Sequence, residues 1–361
     1  MKHILFLAIA SMVMFACSND DVAPLPKEED NGAVTFEVQA INKPSNTRRP
    51  FYSQDTTQAI TRVNVYAFKN DGSGNYLYQK TFTITGWTAG TSSKTYSVPT
   101  VDNLPLGDYK FIATGQESSD MYVLPTLTAG TSNYNSVSIS VATAGNEFPN
   151  EFYSGTASYT IAGAGGARIY IPIKRNVAGV LGYFKNVPAI YNGTPVRFLR
   201  LSITNANTAV NLSTGAASAP TGNPLNVINI DLNGQTITNG VYAGIDLTAQ
   251  GVVKLPNSQL SGSFVIPVTG INMTLGLYDA SGNALKTWVV KDESGNTSFD
   301  IVANQLFALG QKVQTGNTNG GTPTPPGTTT DDDTAIDLLI DQEITVQISS
   351  AWGVIHNMTI N

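Results

Sequence analysis

The one cysteine in 361 residues, Cys17, follows a short apolar run, Ile4–Phe15, led by Lys2 and His3, and precedes "SNDD". The run is too short to span a bilayer but suits the apolar core of an export signal. With the small Ala16 ahead of it, Cys17 has the setting of a bacterial lipoprotein signal. In that chemistry the peptide is cut before the cysteine, whose thiol becomes a thioether to diacylglycerol and whose new amino group is acylated. Met14 and Phe15 are bulkier than is usual there, and a soluble secreted protein cut elsewhere, with Cys17 discarded, is the alternative. An exported chain that relied on disulfides would carry an even set of cysteines, so this fold must stand without them.

Other reactive chemistry is sparse. His3 leaves with the signal, and His356 stands alone near the chain end. One histidine without cysteines builds no zinc site, and its terminal place does not suit a Ser-His-Asp triad. The glycine-rich "AGAGGAR" at 162–168 lacks the strand–loop–helix setting and the Lys-Ser/Thr of a phosphate loop. Asp292-Glu293 and Asp331-Asp332-Asp333 sit in polar turns and read as solvated loops, with weak calcium binding as the alternative. A formal net charge of −6 leaves no basic footprint for nucleic acid. These residues predict a protein that is not an enzyme and holds no cofactor or metal.

The elements that would carry such residues are strands. The chain is 41% hydrophobic and only 13% charged, with 33 Gly and 18 Pro, a balance of all-β extracellular proteins. No second apolar segment is long enough to cross a membrane. Residues 1–16 read as the signal and 17–31, polar with Pro24 and Pro26, as a tether. The remainder is too long for one ordinary core and divides into two β-sandwiches, 32–165 and 166–361. In the first, Val34, Phe36 and Val38 alternate with Thr35, Glu37 and Gln39, a half-buried strand. "ITRVNVYAFKNDGSGNYLYQKTFTI" reads as a hairpin about an Asn/Asp/Gly turn. "NQLFALGQKV" suits a short helix or a strand. Residues 316–333 form a Gly/Thr/Pro/Asp linker, followed by a strand pair over 343–360. There Ile344, Val346 and Ile348 share one face, and Val354, Met358 and Ile360 another with His356.

The lipoprotein cysteine, the acidic tether, the single strand before an Arg-containing loop, "VNVYAFKNDG … LPLGDYKFIATG", "KRNVAGVLGYFKNVP" and the Trp-bearing terminal strand pair come in a characteristic order. In that order the chain resembles the fimbrillin superfamily of Bacteroidales type V pili over nearly its whole length. The resemblance implies two tandem β-sandwiches of the transthyretin-like, Greek-key kind, and a cell-surface pilus subunit joined to other fimbrial subunits. "CSNDD" is similar to the acidic signal that sends such lipoproteins to the outer face of the outer membrane, with Asp20-Asp21 helping to choose the surface.

Stalk pilins of this family are cut by an arginine-specific protease after the first strand, and a C-terminal strand of the next subunit fills the vacated groove. Anchor subunits keep their lipid and first strand. Carried over, the resemblance implies lipid on Cys17, processing at Arg48-Arg49, a groove strand of Val34, Phe36 and Val38, and donor residues Ile344, Val346, Ile348, Val354, Met358 and Ile360. The Arg49-Pro50 bond resists trypsin-like cleavage, so a cut would fall between the two arginines; an ordinary basic loop is the alternative. The terminal strands, likewise, either reach a neighbour or complete the chain's own second sandwich. A tethered glycan-binding protein is a competing function, with Trp87 in a turn as its stacking platform, whereas Trp288 and Trp352 read as structural. The receptor at the host or bacterial surface is not specified by these motifs.

Overall fold

A computed structural model describes residues 34–41, 60–117, 121–142, 150–163, 166–244, 257–310, 335–341 and 343–349. Among these, strands make nearly all the regular structure, and the only helical turns are two of three residues each. The fold is all-β. "NQLFALGQKV" supplies a strand, Leu306–Leu309, buried along its whole length.

The first sandwich comprises β1 (Val34–Ala40), β2 (Arg62–Asn70), β3 (Tyr76–Ile84), β4 (Ser93–Ser97) and β5 (Gly107–Gln116), followed by β6 (Tyr122–Val123) and β7 (Ser138–Val141), which belong to a separate sheet. It closes with β8 (Phe152–Ile161) and β9 (Ala167–Arg175). Hydrogen bonding runs in the order β3-β2-β5-β8-β9-β1-β4. Phe36 of β1 nonetheless lies 5.1 Å from Phe82 of β3, ring centre to ring centre, although four strands separate them in that order. The sheet must therefore fold over on itself, and β9 is the corner. Its C-terminal end pairs with β8 and the rest with β1. At the crossing only Gly155 fits, because a Cβ there would stand 1.7 Å from the Pro172 carbonyl oxygen.

The stretch Ala167–Arg175, which the sequence reading opens the second unit with, thus lies inside the first. A strand of alternating "ARIYIPIKR" says which side chains point inward but not which sheet they serve, and the pairing is long-range.

The second sandwich begins with β10 (Ala178–Lys185), only two residues of chain separating it from β9. One of its sheets orders Ser258–Val265, β10, Leu306–Leu309 and Gln347–Ser349. The other orders Leu225–Asp231, Phe198–Ile203, Met273–Tyr278, Ala284–Lys291 and Ile344–Thr345. Their inner faces meet in one core that extends onto the back of the first sandwich through Tyr66, Phe68, Ile112 and Phe152. A small antiparallel sheet bridges the two units, since Ile139 of β7 pairs with Val210 of the strand Asn207–Asn211. Backbone and apolar contacts together join the sandwiches.

Three turns share one sequence plan, "DGSGN" at 71–75, "DASGN" at 279–283 and "DESGN" at 292–296. In each the Asp Oδ1 accepts the backbone N–H groups two and four residues on, and Oδ2 accepts the Asn amide four residues on. This Asx geometry gives a solvated turn its shape without a core. The Asn amide, foremost, and the backbone N–H groups hold each carboxyl pKa below its ordinary 3.8. A depressed folded pKa stabilises the native state above the unfolded pKa, and that contribution disappears as pH falls through the folded value. Replacing Asp71, Asp279 and Asp292 together by Asn should therefore flatten the acid limb of a plot of melting temperature against pH, below about pH 4. An unchanged limb would place the acid sensitivity elsewhere.

Candidate functional site: the groove of the first strand

β1 is held on every side. Val34, Phe36 and Val38 face the interior at 3%, 0% and 0% exposure, and Phe36 meets Phe111 edge-on at 5.4 Å as well as Phe82. Burying three such side chains contributes roughly 5–9 kcal/mol as an upper bound. One edge of β1 runs parallel to β9, from Val34 opposite Ala167 to Ala40 opposite Ile173. The other runs antiparallel to β4, from Thr35 opposite Ser97 to Gln39 opposite Ser93. The ladders extend beyond the strand, with the Val98 N–H donating to the Val34 carbonyl and the Ile41 N–H to the Ile173 carbonyl, both at 2.8 Å.

The outward face has its own rungs. Arg168 of β9 approaches the Glu37 carboxylate at 3.1 Å, and the Tyr170 hydroxyl donates to the Gln39 side-chain oxygen. The ion pair is partly exposed, so it is worth under about 1 kcal/mol and acts mainly on alignment. Without β1, an apolar channel would lie open between the unpaired edges of β9 and β4. That is the geometry an added strand requires.

Arg48 and Arg49 follow β1 within residues 42–59, outside the described residues, as does Cys17 ahead of it. The first half of the terminal pair is accounted for. Ile344 and Val346 are fully buried in the second sandwich; Ile344 pairs in parallel with Val290, and Ile348 pairs with Phe307 through its backbone. Val354, Met358 and Ile360, with Trp352 and His356, lie outside the described residues.

A buried polar cluster sits where the two sandwiches join. The Arg175 guanidinium is 2.8 Å from the Glu151 carboxylate, with side-chain exposures of 1% and 3%. Glu151 also accepts the Tyr153 hydroxyl at 2.9 Å, and Arg175 donates to the Asn304 side-chain oxygen of the second sandwich at 2.9 Å. Burial, the largest influence, would by itself lower the Arg175 pKa, but the charges and hydrogen bonds of Glu151 and Tyr153 together more than offset it, and the pKa is raised. Sequence reasoning passed over this residue. Its signal was parity: Ala167, Ile169, Ile171 and Ile173 point inward, and Arg175 occupies the next inward position.

Trp87 does not serve as an exposed sugar platform. It is 4% exposed and packs in the first core. Trp288 is buried in the second core. Among the described residues no group of three His, Cys, Asp or Glu side chains converges to hold a metal.

The family model for fimbrillin-A associated anchor proteins Mfa1 and Mfa2 matches residues 46–358. The chain belongs to this family. Similar solved structures include the fimbrial anchor protein Mfa2 of Porphyromonas gingivalis, at 12% identity over 77% of this chain and 90% of that one, TM-score 0.43. An adhesin candidate from Bacteroides ovatus aligns at 14% identity over 77% and 89%, TM-score 0.44. A cell-adhesion candidate from Parabacteroides distasonis aligns at 14% identity over 88% and 96%, TM-score 0.44. No curated protein matches. Membership in the anchor family places the chain with the structural proteins of cell-surface fimbriae and not in an enzyme family.

In this anchor-family chain the buried residues of the first strand and of 343–349 should both contribute to stability. Phe36→Ala should cost about 3–5 kcal/mol in urea unfolding, the range for deleting a buried phenyl ring. Compared with deletion of residues 350–361, deletion of 343–361 should lower the midpoint of the cooperative melt, since the longer cut removes Ile344 and Val346 from the core. Equal melts for the two deletions would contradict the placement of 343–349.

Proposed function

We propose that this chain is a lipid-retained fimbrial anchor, held in the outer membrane by acyl chains on Cys17, with its first strand in place and a fimbrial subunit attached by strand exchange. The observation that carries the reading is the engagement of β1 on both faces and both edges. β1 lies between Cys17 and Arg48 in the chain. A cut at Arg48-Arg49 would therefore leave the lipid attached to the fold only through strand pairing, whereas an uncut chain carries membrane attachment covalently into the sandwich. Two or more acyl chains give the stable membrane hold that one does not. The stretch that reaches a neighbouring subunit then lies beyond residue 349, with Val354, Met358 and Ile360 as its apolar face. Ile344, Val346 and Ile348 stay with the chain's own second sandwich.

The mass and N-terminus of protein recovered from the cell surface test this reading. The expected species begins at acylated Cys17; a chain beginning at Arg49 would make it a stalk or tip subunit instead. Cys17→Ser should move the protein out of the outer-membrane fraction, and its persistence there after a high-salt wash would overturn the lipid assignment. The double variant Arg48→Ala, Arg49→Ala should assemble fibres as the parent does; loss of assembly would restore the arginines as an activation site.

A further inference from the structure

We propose that β1 and β9 form a shear clamp, the element through which tension between the membrane and the fimbria passes into the fold. This rests on the reading that the tether stays attached. Tension from Cys17 enters β1 at its N-terminal end, Val34. It leaves toward the second sandwich at the C-terminal end of β9, because Arg175 is followed within three residues by β10. The two strands are parallel, with Val34 beside Ala167 and Ala40 beside Ile173. The entry and exit points therefore stand at opposite ends of one ladder. A pull along the axis slides the strands past each other and loads the seven residue pairs together. In an antiparallel pair loaded through adjacent ends, the bonds would instead break one after another, each at low force.

The packing around the ladder resists that slide. Val34, Phe36 and Val38 would have to leave their places together, with Phe36 passing Phe82 and Phe111. The Arg168–Glu37 and Tyr170–Gln39 rungs cross the same two strands on the other face. β4 covers the far edge of β1 over five residue pairs. The exit point is pinned as well: Arg175 is fixed to Glu151 beside β8 and Asn304 of the second sandwich, and the Asn176 N–H donates to the Phe152 carbonyl at 2.8 Å. The continuous core between the sandwiches keeps them from parting before the clamp is loaded.

Single-molecule pulling with thiol handles tests the clamp, using the chain that starts at Cys17. Cys17 is the only natural cysteine, so one introduced thiol sets the direction of load. Ile190→Cys, at a 61% exposed site just beyond β10, pulls through the exit end of β9. Gly163→Cys, where an added Cβ meets nothing within 4 Å, pulls at the start of β9 and peels the same pair from one end. At one loading rate, the first rupture should need several-fold more force in the Ile190→Cys variant than in the Gly163→Cys variant. Equal forces, or release of the second sandwich while β1 stays paired, would overturn the clamp. The thiol itself is the handle, so this result stands apart from whether cells acylate Cys17, which the mass measurement decides.

Discussion

The parallel pairing of β1 with β9 is the constraint on which the rest of the first sandwich depends. Parallel neighbours cannot be joined by a tight hairpin, so the chain between them must go round. Here it goes round through the other strands of the sandwich, and β1, first in sequence, is set last but one in the sheet. The closing stretch, β9, then has to serve two sheets. Gly155 supplies the clearance for that crossing, and the inward Ile169, Ile171 and Ile173 share one core with Val34, Phe36 and Val38 of β1.

The same strand fixes the relation between the two sandwiches. β9 ends in Arg175, a charge that burial would make costly on its own. Glu151 and Asn304 satisfy it from two directions, one alongside and one across the joint, and Tyr153 donates to the Glu151 carboxylate in turn. Truncating one member of such a cluster leaves the others charged or polar in an apolar setting, which costs more than the cluster contributes in place. The joint is thus specific in geometry more than strong in net energy. The apolar side chains of Phe68, Ile112 and Ile139, together with the pairing of Ile139 and Val210, supply the burial around it.

Alternation made most strands legible. "VTFEVQA" named both the buried Val34, Phe36 and Val38 and the outward Glu37 and Gln39, and "NDGSGN" named its turn, because both depend on neighbours close in sequence. What sequence reading missed depends on partners far away. The allegiance of β9 is decided by β1, more than 120 residues earlier, and the partner of Arg175 in the second sandwich is 129 residues later. Trp87 looked like a surface residue since its immediate setting, "TGWTAG", is turn chemistry, yet its indole reaches the core. Whether 343–349 would stay or leave turned on what lay beside it; the paired Val290 and Phe307 are invisible from the segment itself.

A strand that is kept and a strand that is exchanged can share one inner face, since alternate apolar side chains fill a groove in either case. The difference lies in what fixes register. Arg168 meets Glu37 and Tyr170 meets Gln39 only when β1 sits as it does, and a two-residue slip would set Thr35 or Gln39 against Arg168. The chain's own terminal segment has no such pattern. Were Val354, Met358 and Ile360 to fill such a groove, the alternating Ile355, Asn357 and Thr359 would offer no carboxylate to Arg168. Each rung is weak at the surface, but together they reward one alignment of one strand. A groove built in this way discriminates by register before it discriminates by affinity, and the strand it fits best is the one already attached to it.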